Sequence, residues 1–466
     1  MANFSDFVKT YDVRGLVGSQ LTPEVIRAFG AGFVEELGLE GQELLVGYDM
    51  RDSSPGFAEA FAQGAALRGG STIMLGLCST DMSYFASGSM NLPAVMFTAS
   101  HNPASYNGMK FSRAGARGIS LDTGLAGISK WAQHFLEQGI EPVATKGSVR
   151  SADVMRDYVN YLRGLVDFSK SRRLKIVVDA ANGMGGLTVP AVFGSAAGLA
   201  ELDFEIVPLY FELDGTFPNH EANPLQPENL VDLQRAVLAH GADLGLAFDG
   251  DADRCFAVDE NGEAVSPSAV AAIVSKREIE RVRALGQTDV IVLHNLLTSR
   301  SVAEVIEQAG AKPVRTKVGH SLIKDQMAET QAVFGGEHSA HYYFRDFWGA
   351  DNGMLAAMHL VSELAGSDKS MSEIAKTFTP YFASGEINST VQDVEAALAR
   401  VRVAFPEAQE EVFDGTTFSF ASGEIWWWAN IRPSNTEPLL RLNVESSHEA
   451  SMAEIRDKAI QAIRNS

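Results

Sequence analysis

The chain has 466 residues, 45% of them apolar, with a formal net charge of -21 and a sequence pI near 4.9. At about 100–200 residues per domain this length holds three or four hydrophobic cores and disfavours a single domain. So acidic a chain repels nucleic acid and anionic membranes, and an anionic ligand would need arginines and lysines gathered in one cleft against the field of the rest.

The segment Met1 to Lys9 lacks a basic stretch followed by an apolar one, and no run approaches the roughly 18 apolar residues that cross a bilayer. Cys78 and Cys255 are far apart and each borders an apolar run, which suits reduced core thiols rather than a disulfide framework. The expectation is a soluble, cytoplasmic protein.

In chain order, the apolar run Leu44-Leu45-Val46-Gly47-Tyr48-Asp49 leads to a helical pattern at Phe57–Phe61. Lys175-Ile176-Val177-Val178-Asp179-Ala180 leads to one at Leu187–Pro190, and Val290-Ile291-Val292-Leu293-His294-Asn295 to one at Ser301–Ile306. Short β-rich runs followed by helices predict βαβ units with parallel or mixed sheets. From about Ser372 the pattern changes: strand-like runs at Thr417–Phe420, Ile425–Trp428 and Leu440–Val444 lie between helical patterns around Val394–Leu398 and Met452–Ile463, a small α+β domain. The predicted architecture is three related α/β domains with mixed sheets plus a smaller C-terminal α+β domain around a central cleft. The boundaries fall at 1–150, 151–258, 259–371 and 372–466.

Four loops carry chemistry. Thr98-Ala99-Ser100-His101-Asn102-Pro103 follows the run Ala94–Phe97 and precedes Tyr106-Asn107-Gly108-Met109-Lys110. A serine at a strand end beside a histidine and upstream of a lysine can accept a phosphoryl group if a metal and a proton shuttle assist. Asp249-Gly250-Asp251-Ala252-Asp253-Arg254 puts three alternating carboxylates at a tight turn between Leu244–Phe248 and Cys255–Val258. Packed together they repel, and a hard divalent cation with oxygen ligands relieves them. A calcium loop of the EF-hand kind would need glycine where Arg254 stands, and the flanks read as strands, not helices. Gly335-Gly336-Glu337-His338-Ser339-Ala340-His341 offers a carboxylate and a hydroxyl to neighbouring sugar hydroxyls. Arg432-Pro433-Ser434-Asn435-Thr436-Glu437-Pro438 offers a guanidinium, hydroxyls and an amide as a phosphate cradle. Taken singly, each of the last two is matched by an ordinary surface turn.

Together, in this order and with Tyr11-Asp12-Val13-Arg14-Gly15 near the start, these segments resemble the α-D-phosphohexomutase family, in its bacterial phosphomannomutase and phosphoglucomutase branch, over essentially the whole chain. The resemblance implies that Ser100 is a phosphoserine and that Asp249, Asp251 and Asp253 hold magnesium with an oxygen of that group. It implies that Arg14, His101, Lys110 and Arg254 surround the reacting phosphoryl, with Lys110 the proton shuttle, and that Glu337 and Ser339 bind sugar hydroxyls. Tyr11, His320 and His341 match further cleft positions, and Arg432, Ser434, Asn435 and Thr436 match the grip on the phosphate that is not transferred.

Three departures stand out. Ala340 occupies a place where many members have glycine, so the backbone there is expected to avoid positive φ. His338 stands where many carry methionine, and no lysine is evident at the strand end His294-Asn295-Leu296. Asn435 favours the mannose and glucose branch over phosphoglucosamine mutases. The implied activity is interconversion of hexose 1-phosphate and hexose 6-phosphate, of mannose, glucose or both, through a bound glucose or mannose 1,6-bisphosphate. A phosphoglucosamine mutase, a metal-dependent sugar phosphatase using the same serine, and a non-catalytic calcium or sugar module are the rivals. The partner is a phosphosugar, with neither nucleic acid nor membrane, and no feature fixes an oligomeric state.

Overall fold

The structure, a computed structural model, describes residues 4–433 and 439–464, and for residues 320 and 321 the backbone alone. Among the described residues no helix is long and apolar enough to cross a membrane.

The first sheet has seven strands, with Ala94–Phe97, Glu43–Tyr48 and Ser71–Leu77 parallel at its centre. Leu44, Leu45 and Val46 have no exposed surface, as expected of a central strand covered on both faces. One covering helix, Pro23–Leu37, starts at Thr22, whose hydroxyl accepts from the Val25 N–H, and stops at Gly38 with φ 64°. It packs against Ser54–Leu67 at backbone distance: a Cβ on Gly30 would lie 2.1 Å from the Phe61 carbonyl oxygen, and one on Gly64 would lie 1.9 Å from that of Arg27. Glycine is therefore required at both crossings.

The second sheet runs Ala264–Val265, Cys255–Val258, Leu244–Phe248, Lys175–Asp179, Glu205–Leu209. The third runs Lys312–Thr316, Ile291–Asn295, Phe334–Gly336, Tyr342–Phe344, Ala350–Asp351. Each of the three sheets repeats one device. A strand paired in parallel with its inner neighbour runs into a loop and returns as an antiparallel partner: Ala94–Phe97 into Tyr106–Arg113, Leu244–Phe248 into Cys255–Val258, and Phe334–Gly336 into Tyr342–Phe344. The three connecting loops carry Ser100, the three aspartates and Glu337. Equivalent strand ends of related units thus deliver the three sets of side chains, in keeping with ligand sites at the carboxyl ends of parallel strands.

Two boundaries differ from those expected. Strand Ala264–Val265 pairs with Cys255–Val258, so the second unit runs past 258. Helix Met371–Phe378 packs on Pro267–Ala284 and Arg300–Gln308, so the third runs past 371. In each case a short apolar element is held by packing on its predecessor, which a change in sequence character does not reveal.

The last unit is a six-stranded antiparallel sheet, with Leu439–Ser446 and Ile425–Pro433 at its centre and helices Val394–Ala404 and Glu449–Arg464 against it. One buried cluster runs from Leu45 to Phe378 through the first three units, beside a second in the first unit around Phe29, Phe61 and Phe111; the last unit takes no part in either and has its own, built on Val401, Phe418, Trp427, Leu442 and Ile463.

Candidate active site

The aspartate loop is a tight hairpin that Ala252 turns at φ 61°. It presses on the serine loop: a Cβ on Gly250 would stand 2.3 Å from the Ser100 carbonyl oxygen. Ser100 itself sits at φ 50°, and its backbone is fixed by its N–H to Thr98 Oγ1 at 2.9 Å and by Arg51 Nη2 on its carbonyl at 2.9 Å. The fully buried Arg51 also donates to the carbonyls of Asn102, Pro103 and Tyr106, bracing the whole loop. A serine held in left-handed backbone costs on the order of 1 kcal/mol, so the surrounding bonds over-determine it.

From there the Ser100 hydroxyl donates to Asp249 Oδ2 at 2.8 Å, across 149 residues of chain. The same oxygen accepts from Arg254 Nε at 2.9 Å, and Arg254 Nη2 donates to His101 Nδ1 at 2.7 Å. Accepting at Nδ1 leaves the His101 proton on Nε2, and burial together with Arg254 and Arg14 holds this imidazole neutral by pushing its pKa well below the usual range. Arg14 donates to Asn102 Oδ1 and Asp12 Oδ2 at 2.7 and 2.6 Å.

Asp249, Asp251 and Asp253 are all fully buried, and their ligand oxygens lie within 4.8 Å of one another. Burial pushes Asp249 up to about 7, since its neighbours Asp253 and Asp251 add to the desolvation cost and Arg254 offsets only part of it. For Asp251 the order is reversed: burial opposes ionisation, but the Lys110 ammonium and the Thr80 hydroxyl outweigh it and hold the carboxyl below the usual range. Lys110 Nζ lies 2.7 Å from Asp251 Oδ2 and 2.6 Å from Asp253 Oδ2, so its ammonium stands where a cation shared by the two carboxylates belongs. The other oxygens, Asp251 Oδ1 and Asp253 Oδ1, are buried without a hydrogen-bond partner. Orphaned carboxylate oxygens in an all-oxygen set fit a hard divalent ion such as magnesium.

Above this floor opens a cleft of about 770 Å³ lined by Tyr11, Arg14, Ser100, His101, Lys110, Arg254 and His341 among the residues singled out in the sequence. Tyr11 is 39% exposed and its hydroxyl faces Gly319 of the third unit. His341 Nδ1 lies 3.0 Å from Asp351 Oδ2, and that carboxylate raises its pKa although burial works the other way.

Glu337, Ser339 and Arg432 are not on this lining. Glu337 is buried, accepting from Tyr343 Oη at 2.8 Å and from Asn295 Nδ2 at 3.3 Å, so an amide fills the strand end where no lysine is evident. Ser339 is partly exposed in the same loop. Arg432 Nη1 is 3.9 Å from Asp414 Oδ2, and Asp414 also accepts the Val318 N–H at 2.8 Å, tying the last unit to the third. Ser434, Asn435 and Thr436 lie outside the described residues, as does the side chain of His320.

The expectation for Ala340 is corrected: it adopts φ 65°. Its N–H closes a turn on the Glu337 carbonyl at 3.2 Å, while the Glu337 N–H takes the His341 carbonyl at 3.0 Å, and this tight hairpin imposes left-handed backbone on alanine as it would on glycine. His338 Nδ1 pairs with Ser268 Oγ at 3.0 Å. Sequence reasoning missed Arg51, Thr80, Tyr84, Lys324 and Asp351. Thr80 Oγ1 donates to Asp251 Oδ2 at 2.6 Å, and Lys324 pairs with Asp351 Oδ1 at 2.9 Å. Arg51 had one signal, a charged pair closing the buried run at Asp49; the others had none.

The phosphoglucomutase/phosphomannomutase family matches this chain in four consecutive parts: its alpha/beta/alpha domain I over residues 6–130, domain II over 156–262, domain III over 266–381, and its C-terminal domain over 386–462. A phosphomannomutase of Salmonella montevideo is 36% identical over 473 residues, covering 100% of both chains. A protein of Xanthomonas campestris pv. campestris described as phosphohexose mutases is 37% identical over 456 residues, 97% of each. The crystal structure of a phosphoglucomutase/phosphomannomutase family protein from Burkholderia thailandensis superposes with a TM-score of 0.85 at 30% identity, covering 100% of this chain and 98% of that one. The chain belongs to this family, the α-D-phosphohexomutases. It is a phosphohexomutase, an isomerase that works by phosphoryl transfer.

Proposed function

We propose that the protein interconverts the 1- and 6-phosphates of mannose and glucose through a phosphoryl group carried on Ser100. The observation that carries this reading is the hydrogen bond from Ser100 Oγ to Asp249 Oδ2 at 2.8 Å, which joins the acceptor serine to the acidic cluster inside a cleft lined by Arg14, His101, Lys110 and Arg254. Arg14, Lys110 and Arg254 answer the requirement set by a charge of -21: the anionic ligand is attracted locally, not globally.

In the first half-reaction a free sugar hydroxyl attacks the phosphorus carried on Ser100, the bond from phosphorus to Ser100 Oγ breaks, and its electron pair returns to Oγ. The hydroxyl's proton ends on Oγ, with Lys110 as the shuttle, kept charged because Asp251 and Asp253 outweigh the cost of its burial. The product is a bound 1,6-bisphosphate, which reverses in the site; the Ser100 hydroxyl then attacks its other phosphorus, the bond from that phosphorus to the sugar oxygen breaks, and the serine's proton passes to that oxygen. Asp249, Asp251 and Asp253 would hold magnesium, which when bound neutralises charge on the transferred phosphoryl oxygens. Arg254 orients Asp249 and keeps His101 neutral beside Oγ. Glu337 and Ser339 would bind sugar hydroxyls, and Arg432 with Ser434, Asn435 and Thr436 the distal phosphate. The separate core of the last unit suits a part that loosens while the intermediate turns.

Glu337 offers nothing that reads C2, where mannose and glucose differ, and a site that does not hydrogen-bond a group discriminates weakly. Both sugars should therefore turn over, with glucosamine phosphate poorer. The test is a coupled assay of mannose, glucose and glucosamine 1-phosphates at one magnesium concentration with inorganic phosphate measured in parallel. Conversion to 6-phosphates without phosphate release supports the mutase; stoichiometric phosphate release makes the protein a phosphatase, and a preference for glucosamine overturns the branch.

A further inference from the structure

The cleft has a cation from the third unit that none of the sequence motifs supplies. Lys324, on the helix His320–Thr330 of the third unit, lines the same cavity as Ser100, His101, Lys110 and Arg254. Its ammonium lies 2.9 Å from Asp351 Oδ1 and 4.2 Å from the centre of the Tyr84 ring, which also lines the cleft. The other oxygen of Asp351 holds His341, so one carboxylate sets both basic groups on this wall.

An ammonium has three donors, and among the described residues Asp351 is the one anion within ion-pair range of Lys324. With a carboxylate on one side and a ring face on another, the group is held in place and still borders the cavity. A buried lysine–aspartate pair seldom adds stability over apolar side chains of the same volume, so stability alone gives little reason for one in this wall. Arg14, Lys110 and Arg254 are each engaged by Asp12 or by the aspartate loop, whereas the counter-ion of Lys324 stands outside that set.

We propose that Lys324 is a substrate-contacting residue whose ammonium donates to a phosphoryl oxygen of the hexose phosphate at the Ser100 end of the cleft, with Asp351 as its positioning residue. This rests on the reading of the site as a phosphohexomutase centre. Because either end of the intermediate must visit Ser100, the contact serves both directions of the reaction.

The test uses the full-length protein with glucose 1-phosphate and glucose 6-phosphate as substrates. Lys324→Met, which keeps the apolar stem, should lower kcat/KM by about 10- to 100-fold in both directions, the size of one lost charge-assisted hydrogen bond. Lys324→Arg should keep part of the activity, and ethylammonium added to Lys324→Ala should restore part of it, which a merely structural lysine would not allow. The phosphate carried on Ser100, read by intact mass, should be unchanged in all three. A Met variant as active as wild type overturns the proposal. So does a loss that neither arginine nor ethylammonium repairs and that tracks a fall in unfolding temperature. If wild-type protein itself fails to interconvert the two substrates, the reading of the site fails instead, and the two failures are distinct.

Discussion

Gly250 is the point at which the aspartate loop touches the serine loop, and adding one methyl group there tests whether their spacing matters. The Cβ of Gly250→Ala would lie 2.3 Å from the Ser100 carbonyl oxygen, whereas ordinary contact begins at 3.4 Å, so the loops must part by 3.4 − 2.3, or about 1.1 Å. Ser100 gives way poorly, since Arg51 and Thr98 hold its backbone on the other side. If the shift falls along the bond from Ser100 Oγ to Asp249 Oδ2, that contact opens from 2.8 Å to about 3.9 Å and ceases to be a hydrogen bond. A misplacement of this size costs about 10²-fold in rate, and the crowding costs about 1–3 kcal/mol in stability. The assay is kcat/KM for glucose 1-phosphate together with the thermal unfolding midpoint. Gly56→Ala serves as control, because it sits in helix Ser54–Leu67 with open space around it and should leave activity unchanged. A Gly250→Ala variant with wild-type activity and midpoint would refute the claim that the two loops form one spaced unit.

Asp251→Asn should lower turnover by more than about 10²-fold with the fold intact by circular dichroism, and chelator should reproduce the loss in wild type, because Oδ1 of this residue is one of the orphaned oxygens. Ala340→Gly should change stability by less than about 1 kcal/mol, because the relief of left-handed alanine is offset by the extra freedom of glycine in the unfolded chain and by the loss of a fully buried methyl; a loss of several kcal/mol on urea titration would contradict the turn geometry. Asp81 is fully buried at the start of helix Thr80–Met90, accepting from Tyr158 Oη at 2.5 Å, and burial pushes it up to about 7. The folded chain therefore keeps a proton that the unfolded chain releases from about pH 4 upward, and stability falls as pH rises from about 4 to 7 and levels off above. Asp81→Asn should flatten that slope when unfolding midpoints are compared from pH 5 to 8; an unchanged slope would assign it to another group.

The serine loop and the aspartate loop were legible in the sequence because each is contiguous and each closes a buried strand. The fold class was legible for the same reason, since the runs Leu44–Val46, Ile176–Val178 and Val290–Leu293 are apolar and recur with helices between them. Lys324, Tyr84 and Asp351 were not, because their meaning arises only from tertiary contact: Lys324 meets Tyr84 across two units and more than 200 positions, and meets Asp351 from a separate element of its own unit, and singly each reads as an ordinary helix or strand residue. The pairing of Lys110 with Asp251 and Asp253 was equally hidden: spacing places a lysine near the serine but says nothing of the carboxylates it meets from the second unit. Ala340 misled for a local reason. Residue identity predicts φ only where the turn leaves a choice, and the bonds between Glu337, Ala340 and His341 leave none.

The central claim is that Ser100 carries the phosphoryl group, and it is tested most directly by following that group. Purified protein is incubated with glucose 1-phosphate bearing a labelled phosphate, then digested, and the labelled peptide is sequenced, with Ser100→Ala treated alongside. Label is expected on Ser100, lost when unlabelled substrate is added, with neither label nor mutase activity in Ser100→Ala. Label on a different residue, or an alanine variant that turns over as fast as wild type, would contradict it.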